Sequence, residues 1–179
     1  MIANILNAIT LSRIFCAILI YLILFLESNY SLALFLFFVA SFSDFLDGYL
    51  ARKTDSVSVL GEILDPIADK LLIVFVLIGL SINLDSFLIG FLSAIIISRE
   101  IWVAALRDIN SRNNESDKTK VTFLAKTKTA IQMLAILMYL FGLTLNSMMI
   151  LFFADIILII ALLVTIQTGF QYTISTFKK

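Results

Sequence analysis

Four carboxylates stand close together in an otherwise strongly apolar part of the chain. Asp44 and Asp47 lie in Asp44-Phe-Leu-Asp47-Gly48-Tyr-Leu-Ala51-Arg52, and Asp65 and Asp69 in Gly61-Glu-Ile-Leu-Asp65-Pro-Ile-Ala-Asp69. The first pair is three residues apart and the second four, spacings that put each pair on one face of a helix. Four convergent carboxylates repel one another unless positive charge sits between them. Oxygen-only ligands suit a hard divalent cation, Mg²⁺ or Mn²⁺, which combines a few carboxylates with substrate phosphates. Two such ions, about 3.5–4 Å apart, serve an in-line displacement at phosphorus. Gly48 and Ala51 keep the helix surface small enough for a bulky phosphorylated ligand to approach the backbone. Arg52 offers a planar cationic fork to a phosphate. The competing reading, ordinary surface acids beside a loop, fits poorly with ionisable side chains inside apolar segments, where they are costly.

Helices must position these residues. Apolar runs at 32–40 and 71–80 flank the two pairs, and the polar link 53–58 is expected to fold the two helices back as an antiparallel hairpin. At about 1.5 Å of rise per residue, Asp47 and Asp65 then fall one to two turns from the same hairpin end.

The whole chain fits that picture. Its 179 residues are 61% hydrophobic, with a mean hydropathy of +1.05 and a single Pro. This is far from soluble globular composition and reads as an all-α polytopic membrane protein, one domain over 1–179. Six transmembrane helices are expected at 13–26, 31–52, 58–80, 87–107, 123–145 and 148–172. Ahead of them, Ile2, Ile5, Leu6 and Ile9 form one stripe and Asn4, Asn7 and Thr10 another, which predicts a short N-terminal interfacial helix. The first apolar run lacks a small-residue cleavage site, which argues against a cleavable signal peptide. Histidine is absent and Cys16 is the one cysteine, so acid–base work falls to carboxylates, Lys or Tyr, and no disulfide framework exists. Arg52, Lys53, Arg107, Arg112, Lys118, Lys120, Lys126, Lys128, Lys178 and Lys179 fall on one side of the six-span scheme. The positive-inside rule then places both termini and the mouth of the carboxylate site in the cytoplasm.

A second group of charges flanks the polar stretch 108–120. Arg99 lies about two turns inside the fourth span beside Glu100, Arg107 ends that span, and Lys126 and Lys128 open the fifth. In a bundle these make a cationic pocket beside the aspartates, suited to an acceptor that carries a phosphate. Lys126 and Lys128 are about 200° apart around a helix and do not both face it. The competing account of Arg107, Lys126 and Lys128 is snorkelling at a membrane boundary; that of Arg99, which lies deep enough to need a partner or ligand, is an ion pair with Glu100 or another helix. Asp155, in the sixth span and away from the basic side, is read as a structural hydrogen-bond partner or an outward snorkel.

The string Asp44-x2-Asp47-Gly48-x2-Ala51-Arg52-x8-Gly61-x3-Asp65-x3-Asp69 resembles the motif of the CDP-alcohol phosphotransferase family at every fixed position. The resemblance implies an integral membrane enzyme that moves a phosphatidyl or similar group from a CDP-linked donor to an alcohol, releasing CMP. It implies that Asp44, Asp47, Asp65 and Asp69 hold two Mg²⁺ or Mn²⁺ ions and that Asp69 is also the general base. It assigns Gly48, Ala51 and Arg52 to the CDP part, with Asn7, Thr10 and Ser58 near the nucleotide. Ser98-Arg99-Glu100-Ile-x4-Ala105-Leu106-Arg107 and Leu124-Ala-Lys126-Thr-Lys128-Thr129-Ala-x-Gln132-Met133 are similar to the bacterial phosphatidylglycerophosphate synthases within that family. That similarity implies CDP-diacylglycerol as donor, glycerol 3-phosphate as acceptor, and Arg99, Arg107, Lys126 and Lys128 around the acceptor's phosphate. It also implies a homodimer in the bacterial inner (cytoplasmic) membrane, with the lipid bilayer and no nucleic acid among its partners. One alternative keeps the chemistry with another phosphorylated acceptor, such as inositol phosphate. Another, a cation channel or carrier, leaves Gly48, Ala51 and Arg52 without a role.

Overall fold

The structure, a computed structural model, describes the backbone of residues 2–27, 29–54, 59–113, 115–119 and 123–178. Within these, the side chains at 2–6, 27, 44–54, 59–60, 62–63, 116, 123 and 125–126 are outside the description. Among the described residues there are six α-helices and no strand: α1 (Ile2–Leu22), α2 (Tyr30–Thr54), α3 (Val59–Asn83), α4 (Phe87–Arg112), α5 (Phe123–Thr144) and α6 (Met148–Phe177). Each expected span corresponds to one helix. The N-terminal segment is not a helix of its own. No Gly or Pro interrupts residues 2–22, so the first turns run unbroken into the first span. Stretches at Asn7–Leu26, Phe87–Arg112, Thr127–Thr144 and Met148–Phe177 are long and apolar enough to cross a membrane, and the chain is an integral membrane protein.

Hydrogen bonds between helices fix their directions. Thr10 pairs with Asp65, Arg13 with Asp69, and Asn83 with the Leu24 carbonyl, so α1 and α3 run parallel. Arg99 with Thr168, Trp102 with Thr173 and Asn110 with Thr176 show that α4 and α6 are also parallel. Gln132 with Thr165 and Tyr139 with Asp155 make α5 and α6 an antiparallel pair. The principal contacts close a ring in the order α1, α3, α4, α6, α5, α2, with α3 also meeting α5. Ala17, Ala33, Ala68, Ala135, Ala154 and Ala161 are fully buried. Such small side chains let membrane helices approach closely. Phe15, Phe35, Phe87, Phe152 and Phe170 point outward, as a lipid-facing surface requires.

Two turns at the end remote from Asp69 are built alike. Asp85 (φ 45°) and Asn146 (φ 50°) take the left-handed conformation, which Asp and Asn tolerate better than most residues. In each, backbone N–H groups reach back five and three residues, Ser86 to Ser81 with Asp85 to Ile82, and Ser147 to Gly142 with Asn146 to Leu143. This closes the helix carbonyls in a Schellman pattern. Ser86 then caps α4 by accepting from the Ile89 N–H.

Asp155 takes the structural role expected of it: its Oδ1 accepts from the Tyr139 hydroxyl at 2.5 Å. Tyr139 is 1% exposed and Asp155 half-buried, and a hydrogen bond to a charged group contributes about 1.5–3 kcal/mol. Tyr139→Phe is therefore expected to lower the thermal unfolding midpoint in detergent. An unchanged midpoint would show that the bond contributes nothing net.

Candidate functional site

The site is built where α1 and α3 meet at the end opposite those turns. Asn7, Thr10 and Arg13 recur every third residue on one face of α1. Asp65 and Asp69 recur on α3. The Thr10 hydroxyl, 1% exposed, donates to Asp65 Oδ1 at 2.7 Å. Arg13 Nη1 donates to Asp69 Oδ1 at 2.8 Å, with the Arg13 side chain fully buried and that of Asp69 31% exposed. A guanidinium this deep is stable only against an opposite charge, and Asp69 supplies it. Pro66, between the two carboxylates, has no N–H to donate, so the helical bond that the carbonyl four residues earlier would accept is missing at this level of α3.

From Asp69 a cavity of about 610 Å³ opens between α3, α4 and α5. Its polar lining is Asp69 and Lys70 from α3, Arg99, Glu100 and Arg107 from α4, and Lys128, Thr129 and Gln132 from α5. Ile73, Val74, Ile96, Ile97 and Val103 form much of the rest. Glu100 Oε1 accepts from Arg99 Nη1 at 3.0 Å and also from Lys128 Nζ. One carboxylate thus holds two cations side by side, both nearly buried (9% and 7% exposed). Arg99 Nη2 donates to Thr168 Oγ1 at 2.6 Å. The guanidinium carbons of Arg99 and Arg107 lie 5.9 and 5.5 Å from the centroid of the Tyr172 ring.

Of the residues expected to act, Thr10 of α1 meets Asp65 of α3, with Asp69 one turn further along α3 and Asn7 one turn before Thr10 on α1, and Arg99, Arg107 and Lys128 line one cavity with Asp69. Asp44, Asp47, Gly48, Ala51 and Arg52 fall on the helical backbone of α2, with their side chains outside the described residues. Ser58 lies outside the described residues altogether, as does the side chain of Lys126. Thr10, expected near the nucleotide, contacts a carboxylate expected to hold metal.

Sequence reasoning takes Arg13 only as part of the element Asn7-x2-Thr10-x2-Arg13 near the nucleotide and Glu100 only as an ion-pair partner for Arg99, which it is, and it gives Thr168, Gly169 and Tyr172 of α6 no role. For Arg13 the signal was a lone cation in an apolar span, three residues from Thr10. For Glu100 it was an acid two turns deep beside an arginine. Thr168, Gly169 and Tyr172 gave only a small polar interruption in a bulky apolar helix.

The donor set present fits a divalent cation. Asp65 and Asp69 offer only hard oxygen, on one helix face, and Asp65 is exposed. Among the described residues no cluster of three His, Cys, Asp or Glu is present.

Comparison with known proteins gives consistent findings. The family model described as CDP-alcohol phosphatidyltransferase matches residues 3–167. The chain is 39% identical over 172 residues to the CDP-diacylglycerol–glycerol-3-phosphate 3-phosphatidyltransferase of Rickettsia bellii, spanning 94% of this chain and 93% of that protein. Identity to the protein of the same name from Haemophilus influenzae is 39% over 149 residues, 82% of this chain and 78% of that one. For the Escherichia coli protein of that name it is 31% over 135 residues, 74% of each.

Proposed function

The chain belongs to the CDP-alcohol phosphatidyltransferase family, and on that premise we propose that it transfers the phosphatidyl group of CDP-diacylglycerol to glycerol 3-phosphate. The products are phosphatidylglycerophosphate and CMP. Relatives carrying that activity in their names match over most of the chain. The observation that carries the reading is the position of Asp69: the last residue of the aspartate motif lines the same cavity as Arg99, Arg107 and Lys128.

In this reading the acceptor's phosphate is bound by Arg99, Arg107 and Lys128, with Lys126 as a further candidate. Charge-assisted bonds from a guanidinium fork both hold and orient such a group. The acceptor hydroxyl then points at Asp69, which takes its proton as general base, while Arg13 fixes one oxygen of that carboxylate. The hydroxyl oxygen forms a bond to the lipid-side phosphorus, and the bond from that phosphorus to the CMP oxygen breaks. Gly48, Ala51 and Arg52 hold the CDP part, with Asn7, Thr10 and Ser58 beside it. Asp44, Asp47, Asp65 and Asp69 would hold two Mg²⁺ or Mn²⁺ ions, which would supply Lewis-acid charge neutralisation at the phosphates. The acyl chains stay in the bilayer. The whole chain acts as one domain, as a homodimer in the bacterial inner membrane, with the cavity and both termini on the cytoplasmic side, where the basic residues concentrate.

The test is CMP release from CDP-diacylglycerol by purified protein in detergent, with Mg²⁺ or Mn²⁺. Release driven by glycerol 3-phosphate is the expected result. Release driven only by inositol phosphate would reassign the acceptor, and no release with any acceptor would overturn the reading.

A further inference from the structure

We propose that the α6 face formed by Thr168, Gly169 and Tyr172 positions Arg99 and Arg107 for the acceptor's phosphate, and so sets acceptor affinity; this rests on the acceptor reading given above. Arg99 and Arg107 are eight residues apart on α4, about 12 Å of helix rise. Both guanidinium carbons nevertheless come within cation–π range of one ring, at 5.9 and 5.5 Å from the Tyr172 centroid. The ring is itself held in place, 4% exposed and packed with Val103 and Leu106. Two like charges that converge on one spot repel. The negative polarisation of the ring they share offsets that repulsion.

Arg99 is constrained on its other sides as well. Thr168 Oγ1 accepts from its Nη2 at 2.6 Å, while the same hydroxyl donates to the Val164 or Thr165 carbonyl, at 2.9 and 3.0 Å from Oγ1. The threonine oxygen is thereby turned to receive the guanidinium. A Cβ at position 169 would come within 3.0 Å of both Arg99 Cγ and Arg99 Nε, so glycine there makes the slot in which the side chain lies. Positions 168, 169 and 172 share one face of α6. They lie just past residues 3–167, the segment that the family model matches, and reach the cavity through the packing of α6 on α4. A guanidinium grips a phosphate through donors in a fixed plane. Fixing that plane before the acceptor arrives reduces the ordering cost of binding.

The experiment is steady-state CMP release by the full chain in detergent, with glycerol 3-phosphate varied at saturating CDP-diacylglycerol and then the reverse. Tyr172→Leu is expected to raise KM for glycerol 3-phosphate about tenfold, the effect of losing two partly desolvated cation–π contacts, with KM for CDP-diacylglycerol unchanged. Tyr172→Phe keeps the ring and is expected to stay near wild type. Thr168→Val, nearly isosteric, and Gly169→Ala are expected to raise the same KM about threefold or more through a lost or displaced Arg99 contact. A purely structural role for these residues would lower the active fraction and kcat while leaving both KM values alone. Unchanged KM for glycerol 3-phosphate in both Tyr172→Leu and Thr168→Val overturns the proposal, as does a rise in both KM values together. Thr168→Val decides the matter should Tyr172→Leu fail to fold. If wild type releases no CMP with glycerol 3-phosphate, the acceptor reading falls and the proposal with it. Normal wild-type turnover with unaltered variants sinks the proposal alone.

Discussion

Asp69→Asn lowers CMP release about a thousandfold or more. Loss of a positioned general base alone typically removes a factor of about 10²–10⁴, and in the proposed mechanism the same carboxylate also helps to hold metal. The structure adds a second consequence. Arg13 is fully buried and donates to Asp69 at 2.8 Å. Neutralising that partner removes one charge-assisted bond from the buried guanidinium, and such bonds contribute about 1.5–3 kcal/mol. A lower thermal midpoint should therefore accompany the lost activity. The check is turnover per folded molecule, measured on the monodisperse fraction. Asp155→Asn is the control, since that carboxylate bonds Tyr139 far from the cavity. It is expected to keep its turnover. A folded Asp69→Asn variant that turns over at the wild-type rate would remove Asp69 from the chemistry.

The second large effect is expected at Arg99. Its guanidinium lines the cavity and is held on three sides by Glu100, Thr168 and the Tyr172 ring. Hydrogen bonds to a charged partner contribute about 1.5–3 kcal/mol each, so Arg99→Leu should reduce kcat/KM for glycerol 3-phosphate by about ten- to a hundredfold. Arg99→Lys restores the charge but not the planar fork or the ring stacking. It is expected to recover only a small part of the loss. KM for CDP-diacylglycerol should move little in either variant, because none of the residues assigned to the donor lies on α4. Full recovery by lysine would mean that charge alone matters at this position.

Much of this was legible in the sequence. Hydropathy located all six helices because each span must satisfy its own backbone in lipid. The ends were less accurate. Apolarity fades near Arg107, but the backbone bonds of α4 continue to Arg112, and α6 likewise continues past Tyr172 to Phe177. The 200° offset of Lys126 and Lys128 meant that one at most could face inward, and Lys128 is buried against Glu100. Which one it would be depends on how α5 packs, and local spacing does not encode that. The pairing of Arg13 with Asp69 spans 56 positions and that of Lys128 with Glu100 spans 28. A single chain read alone carries no signal for such pairs. The contribution of α6 was hidden for a different reason. Thr168, Gly169 and Tyr172 bear no charge, and their effect is exerted through another helix's arginines.

The two Schellman-closed turns at Asp85 and Asn146 stand at the end of the bundle remote from every residue assigned a chemical role. Membranes differ in thickness by a few ångströms, and a helix bundle must match the one it occupies. Here the matching can be done wholly at that far end, by adding or removing residues beside the turns. The distance between Asp69 and its cationic neighbours need not change. Lipid fit and catalysis are thus separable variables in this chain, adjustable one at a time.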